Sequence, residues 1–471
     1  MKFKLTAAQQ RLIRIVKSAS GHVFVVGGAI RDRMMGLEPK DLDFAHNLNH
    51  DTLADYLAYE GMFPIPDEKA REHGILRFND PETGKLIDLA RFRRDAECDG
   101  RHAKVEFTVR IEEDLARRDL TINAMAAEID ENGNCEDVID PYQGREHLLS
   151  KELRFVGNSE DRITEDYLRM MRICRFAALG EGWTIPVALD TIRKYKVDIT
   201  RVSKERIHDE LVKGLMYPVP SRMFRAMQSV GLLDIVFPDL ARGVGCEQNV
   251  HHAEPVFDHL LRCLDASVEL TDNPMLRLAT LTHDIAKPHT KKMINGDATF
   301  YKHEVVGASL MYEWMKEYKF SRKECEYVSK MVRHHQWRFE DDTSDKTIRH
   351  WLQDVGKTEW RDLITLRMAD RLGNLKKAGR PAVTQKMREL VNRVEAMIAS
   401  GTPIFKEDLA INGDDLITMG IKPGPVFKDI FSNILGIVIA EPEKNTRSWL
   451  TAYVEKNYLK KGKEAKEAPA Q

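Results

Sequence analysis

The stretch VVGGAIRDRMMGLEPKDLDFA, Val25–Ala45, decides how the N-terminal part of this chain reads. An apolar run ends at Gly27-Gly28 and a helical pattern begins at once. Glycine lets the backbone come close to a ligand, and a helix start offers unpaired N–H groups with partial positive charge. Together they make a phosphate cradle, distinct from the dinucleotide G-x-G-x-x-G and from the G-K-[ST] of a Walker loop. Asp41 and Asp43 follow within twenty residues. Alternate residues of a strand share a face, so Asp-Leu-Asp sets two carboxylates side by side. They repel unless a cation lies between them, and hard oxygen donors suit Mg²⁺. Asp88, in the apolar run KLIDLARF, is a candidate third carboxylate on a neighbouring strand. Two ions held this way activate a 3′-hydroxyl and steady a departing pyrophosphate. An isolated Asp-x-Asp is ordinarily a surface turn; behind a Gly-Gly turn it reads as a metal site.

Outward from this stretch, 471 residues exceed what one core supports, so several domains are expected. Hydrophobic residues make up 42% and charged residues 31%, the mix of a soluble globular protein. No apolar run reaches the ~20 residues of a membrane span, and the first residues form an amphipathic pattern without a secretory h-region. The six cysteines (Cys98, Cys135, Cys174, Cys246, Cys263, Cys325) make no C-x-x-C pair, which argues against a zinc ribbon or a disulfide framework. A cytoplasmic location and no membrane partner are expected. Net charge is −2, yet basic residues crowd Arg91–Arg118 and again Arg162–Arg206. Two dense basic regions in succession favour a polyanionic ligand, nucleotide or nucleic acid.

Residues up to about 145 alternate short β-type runs (HVFVVGG, DLDFA, GILRF, KLIDLARF, KVEFTV) with helical stretches. From EDRITEDYLRMMRICRFAALG onward the pattern is helical, broken at MYPVPSRM and at GVGCEQNVHHAEPV.

Further motifs carry a family resemblance. DLARRDLTINAMA (Asp114–Ala126) resembles the R-R-D-x-T-I-N-A signature of class II tRNA nucleotidyltransferases and bacterial poly(A) polymerases. FRRDAECDGRHAKVEF resembles the flexible loop that precedes it in that family, TEDYLRMMRICRFAA the E-D-x-x-R motif, and VSKERIHDEL the helix after it. The motifs run in the family's order over roughly the first 215 residues. The resemblance implies an α+β protein: a polymerase-β-like nucleotidyltransferase head with a mixed β-sheet and helices, followed by an all-α neck, body and HD domain. It places Gly27, Gly28 and Arg31 around a triphosphate, Asp41 and Asp43 on Mg²⁺ with Asp88 as the third catalytic carboxylate, and Arg118, Asp119 and Asn123 on the nucleotide's sugar and phosphates.

Asp166 and Arg169 lie three residues apart, so on one helix they share a face, where the ordinary outcome is an intrahelical ion pair. The family motif adds a sharper role. Cytosine and adenine each present an amino donor beside a ring-nitrogen acceptor. Asp166 accepts from the amino group and Arg169 donates to the ring nitrogen, while uracil and guanine reverse the pattern. Glu165 is expected to orient the pair, with Arg172 and Arg175 bracing it.

Downstream, His259, His283-Asp284, His303, His334-His335 and Asp370 keep the order His…His-Asp…Asp of the HD metal-dependent phosphohydrolases. The resemblance assigns His259, His283, Asp284 and Asp370 to a metal, for which Mn²⁺ and Ni²⁺ are candidates. His208-Asp209, in ERIHDEL, has no such companions. INGDDLITMGIKPGPVFKDIFSNIL resembles the C-terminal segment of Gram-positive-type members. The expected division is head 1–145, helical neck 146–240, HD domain 241–380, C-terminal tRNA-binding helices 381–458 and a disordered tail 459–471. The leading reading is addition of C, C and A to tRNA 3′ ends from CTP and ATP; the alternatives are a poly(A) polymerase, and an HD phosphohydrolase with an RNA-binding head.

Overall fold

The structure, a computed structural model, describes residues 1–98, 103–340 and 342–459. The tip of the expected flexible loop (99–102) and the expected disordered tail beyond residue 459 lie outside the described residues. The chain divides into two compact units, Met1–Arg242 with Met315–Phe320, and Gly243–Trp314 with the residues from Ser321 on. The expected head and neck fall in the first unit together with Met315–Phe320 of the expected HD range, and most of that range and the C-terminal segment in the second.

In the first unit the strands are β1 (Val23–Val26), β2 (Phe44–His46), β3 (Ile75–Asn79), β4 (Leu86–Arg91), β5 (Arg93–Cys98), β6 (Ala103–Phe107) and β7 (Ala126–Glu128). Five of them form a mixed sheet in the order β3-β4-β2-β1-β7, and β5 pairs with β6 separately. β2 and β4 run parallel and the other neighbours in the sheet antiparallel. β1 is apolar at every position because it is covered on both faces. Val23 and Val25 join Phe44, Leu89 and the helical residues Leu12, Ile13, Ile30 and Leu53 on one side. Phe24 and Val26 pack with Ala45, Phe92, Ile111 and Leu115 on the other. Each such side chain contributes about 1.5–3 kcal/mol by leaving water, which anchors the strand whose end carries Gly27. There φ is +71°, a region glycine enters without strain. A Cβ at Gly27 would also lie 2.7 Å from Arg118 Nη1.

β2 is shorter than the expected DLDFA strand and starts at Phe44. The ladder still reaches Asp43, whose carbonyl accepts from Val26 N at 3.1 Å. Because Phe44 pairs with Leu89, Asp43 comes abreast of Asp88.

The expected continuous helix from EDRIT onward is interrupted. It forms as Ser159–Glu165 and Arg169–Phe176, with Asp166 in extended backbone between them. The Asp166 carboxylate accepts from Leu168 N at 3.1 Å, and its carbonyl accepts from Arg169 N at 3.0 Å. Aspartate competes well for such orphan N–H groups, so it starts the second helix rather than continuing the first.

In the second unit, helix Val256–Ser267 packs against Pro274–Thr282 and Glu359–Gly373. Its approach to the latter is close: a Cβ at Gly373 would lie 2.6 Å from Cys263 N and Sγ. One hairpin interrupts the expected run of helices, Lys292–Ile294 with Asp297–Thr299. Its two-residue turn is Asn295-Gly296, both with positive φ, the pairing such tight turns require. Helix Pro425–Ala440 buries Ile430, Ile434 and Val438 against Leu416 and against Leu450 and Val454 of the following helix, Arg447–Val454. Among the described residues no helix is long and apolar enough to cross a membrane.

Candidate active site and metal centre

The first unit contains a pocket of about 780 Å³. Its lining includes Gly27, Gly28, Arg31, Asp41, Asp43, Arg118, Asp119, Asn123, Asp166, Arg169, Arg172 and Arg175. Residues separated by up to 190 positions in the sequence, from Gly27 to Tyr217, therefore meet around one space. Arg31 donates through Nη1 to Asn123 Oδ1 at 2.7 Å and through Nε to Asp32 at 2.8 Å. Arg118 Nη2 reaches Asp114 at 3.2 Å, and Arg117 Nη2 reaches it at 2.7 Å. Burial alone would raise the Asp114 carboxyl pKa, but these two guanidiniums hold it below the ordinary value. Asp114 was not among the expected site residues. Its signal is the spacing, three and four residues ahead of two arginines.

Asp119 pairs with Arg172 Nε at 2.7 Å. Burial opposes ionisation, yet Arg172 and the backbone N–H of Leu120 bring its pKa down to about 2. Arg175 donates to Glu210 at 2.5 Å and to the Tyr217 hydroxyl at 2.7 Å. Glu210, also unforeseen, sits on the inward face of its helix between Ile207 and Leu211 and braces Arg172 as well, at 3.5 Å.

The carboxylates expected on metal divide. Asp41 pairs with Lys85 at 2.8 Å. Asp43 stays open to the pocket's water while protein walls surround it. The loss of bulk water raises its pKa, Arg118 counters, and Asp88 and Asp41 raise it further. Asp43 beside Asp41, with hard carboxylate oxygens facing the pocket, fits Mg²⁺. Asp88 is not in the pocket lining and is engaged by Arg77 at 3.0 Å.

Asp166 and Arg169 both line the pocket, but they are not the intrahelical ion pair that a continuous helix would give. The break at Asp166 frees each for a different partner. Arg206 holds Asp166 through Nη2 at 2.7 Å and Nη1 at 3.2 Å. Glu165, behind the lining, binds Arg169 and Arg162. Arg169 also donates to the carbonyls of Arg162 and Arg117, both at 3.0 Å. Arg206 and Lys213 join the lining from helix Lys204–Leu215; Arg206 lay in the basic region and in VSKERIHDEL, and Lys213 outside both.

The second unit brings His259, His283, Asp284 and Asp370 together in its interior. His259 Nε2 lies 3.2 Å from Asp370 Oδ1, and His283 Nε2 lies 3.3 Å from Asp284 Oδ2. His303 and His335 join from other helices, at 3.0 and 3.4 Å from Asp284 Oδ1. Cys263 and Glu254 border His259, Sγ at 3.5 Å from Nε2 and Glu254 Oε1 at 3.4 Å from Nδ1. Burial depresses the His259 pKa, but Cys263, Asp370 and Glu254 outweigh it and hold the imidazole well above its usual value. Burial likewise opposes ionisation of Asp284, and Lys287, His283 and His303 reverse that. Lys287 contacts Asp284 at 2.6 Å and Gln248 at 2.7 Å. His283 Nε2 and Asp284 Oδ1 are buried and, despite these close approaches, make no hydrogen bond of acceptable geometry. Buried imidazole and carboxylate donors left unbonded fit a transition-metal ion.

Three family descriptions match in order: the Poly A polymerase head domain over residues 23–154, the probable RNA and SrmB-binding site of polymerase A over 186–243, and the HD domain over 256–375. The chain belongs to the class II CCA-adding enzyme and poly(A) polymerase family, with an HD domain. Among similar family members, the multifunctional CCA protein of Acidovorax ebreus is 36% identical over 276 residues, 57% of this chain and 62% of that protein. The chain thus spans about three fifths of the length of that relative. The A-adding tRNA nucleotidyltransferase of Deinococcus radiodurans is 27% identical over 419 residues, 85% of this chain and 88% of that one. The crystal structure of the Bacillus stearothermophilus CCA-adding enzyme in complex with CTP superposes over 97% of this chain and 98% of that one. Its TM-score is 0.64 at 22% identity, which establishes the shared fold.

Proposed function

We propose that the chain is a CTP/ATP:tRNA nucleotidyltransferase that adds C, C and A to tRNA 3′ ends without a nucleic-acid template. The observation that carries this reading is the single pocket in which the Gly27-Gly28 turn, the Asp41/Asp43 pair and the Asp166/Arg169 pair converge. Mg²⁺ held by Asp41 and Asp43 would lower the pKa of the tRNA 3′-hydroxyl and stabilise charge on the departing pyrophosphate. Arg31 and Arg118 bind the triphosphate, and Asp119 and Asn123 orient its ribose. In-line attack by the hydroxyl on the α-phosphate follows from that positioning.

Base choice falls to Asp166 and Arg169. Arg206 holds Asp166 oriented to accept from the exocyclic amine. Glu165 and two carbonyls fix Arg169 so that its remaining N–H donates to the ring nitrogen. Uracil or guanine would leave desolvated groups unmatched, at about 1–3 kcal/mol each. The work divides as a catalytic head over 1–145, a selecting neck over 146–240, an HD domain over 241–380 and a tRNA grip over 381–458, acting in the cytoplasm. The HD centre is a metal-dependent phosphohydrolase acting on phosphoesters, supported by its buried, unbonded donors.

The test incubates the protein with a tRNA transcript lacking its 3′ end, Mg²⁺, and CTP, ATP or both, and sequences the products. C, C, then A, with no further addition, is expected. A long adenosine tail would overturn the reading in favour of a poly(A) polymerase. Addition of A alone, and only to transcripts already ending in CC, would replace it with the activity in the Deinococcus relative's name.

A further inference from the structure

The His-Asp cluster contains a donor that its motif does not require. We propose that Cys263 is a thiolate ligand to the ion bound by His259, His283 and Asp370, which makes this a zinc-type site rather than one for manganese. The inference rests on the reading of this cluster as a metal centre.

Cys263 follows His259 by one helical turn, so the two side chains leave the helix on the same face. Its Sγ lies 3.5 Å from His259 Nε2, and that nitrogen lies 3.2 Å from Asp370 Oδ1. A tetrahedral ion with bonds of ~2.3 Å to sulfur and ~2.0–2.1 Å to nitrogen or oxygen sets its ligand atoms ~3.3–3.6 Å apart. The two separations are close to edges of such a tetrahedron. One donor atom from each of His259, Cys263, His283 and Asp370 falls within 4.8 Å of all the others, and all four residues are buried. An independent observation points into the same space: His283 Nε2 is buried and makes no hydrogen bond. Asp284, His303 and His335 form a second group of donors beside it, without sulfur.

Packing explains why residue 263 is small but not why it carries sulfur. The helix ending at Gly373 comes so close that only a compact side chain fits, and alanine or serine would serve. The thiol adds a soft donor, which favours Zn²⁺ over the Mn²⁺ that imidazole and carboxylate alone would accept. On binding, the S–H bond breaks, the sulfur keeps the electron pair for the metal, and the proton leaves to solvent.

The full-length, reduced protein is stripped of metal, loaded with one equivalent of Co²⁺, and its absorption spectrum recorded beside those of Cys263→Ser and Cys246→Ser. A thiolate-to-cobalt charge-transfer band in the near ultraviolet is expected in the wild type and in Cys246→Ser, and its loss in Cys263→Ser with cobalt still bound. Zinc should bind Cys263→Ser ~10–100-fold more weakly, the range that even partners of metal ligands command, while manganese affinity stays level. X-ray absorption on the zinc-loaded wild type needs no variant and should show one sulfur at ~2.3 Å. A bound metal with only nitrogen and oxygen neighbours would overturn the inference and leave the metal-centre reading standing. Failure of the wild type to retain any ion would overturn both.

Discussion

The two units both gather ionisable side chains from distant parts of the chain, and they do so in opposite styles. The pocket of the first unit is wide and wet, with eight arginine and lysine side chains in its lining against four aspartates. The cluster of the second unit is closed: His259, His283, Asp284, His303, His335 and Asp370 are each at most 8% exposed. Excess positive charge around an open space suits a large polyanion that enters and leaves. Buried donors with unbonded atoms suit an ion that stays. The same contrast governs what a mutation should do. In the pocket, loss of a charge removes a substrate contact and spares the fold. In the cluster, it strands a buried partner.

The largest expected effect breaks the first half of that contrast if it fails. Asp43→Asn should lower nucleotide addition by about 10³-fold or more, on the scale of removing a preorganised charge at a reacting centre. Because the Asp43 carboxyl resists ionisation in the folded protein, its neutralisation should not lower the thermal midpoint of the metal-free protein. Asp284→Asn should do the reverse. It leaves Lys287 buried without its partner, so the unfolding transition of the second unit should lose about 3–5 kcal/mol in denaturant titrations. Nucleotide addition by the first unit should survive at temperatures where the protein stays folded.

A smaller effect tests selection within the pocket. Asp166→Asn turns an acceptor into a mixed donor and acceptor and loosens Arg206. Discrimination of CTP over UTP, read as the ratio of their kcat/KM values, should fall about 10–100-fold. The smallest concerns acid. Asp119 has its pKa depressed to about 2, chiefly by Arg172 working against burial. Its stabilising contribution of about 2 kcal/mol is therefore present above pH ~4 and is lost as pH falls through about 2. Asp119→Asn should remove that part of the acid transition in a pH series of denaturant midpoints.

Much of this was legible in the residues themselves. The Gly27-Gly28 turn behind an apolar strand was legible because the positive φ at its first residue favours glycine. The HD donors were legible through their order, even though five helices and over a hundred residues separate His259 from Asp370. Spacing misled at Asp166 and Arg169. A three-residue interval implies a shared helical face only if the helix is unbroken, and Asp166 itself breaks it by accepting the N–H of Leu168. The partners that tune the site were also hidden. Glu210 and Arg206 act on Arg172 and Asp166 across the tertiary fold, where spacing says nothing of the pairing, and Asp114 acts on Arg118 within one turn, where only its interval from the arginines marks it. Asp88 shows the converse: its place beside Asp43 followed from the strands, but its salt bridge to Arg77 did not.

The central claim is that this pocket chooses its base with protein side chains alone. Equilibrium binding of CTP, ATP, UTP and GTP to the wild-type protein with Mg²⁺ and no nucleic acid tests it most directly. The account predicts that CTP and ATP bind at least about tenfold more tightly than UTP and GTP, the equivalent of one mismatched polar contact. Equal affinity for all four would contradict it, and would mean that the tRNA end, not Asp166 and Arg169, supplies the selection.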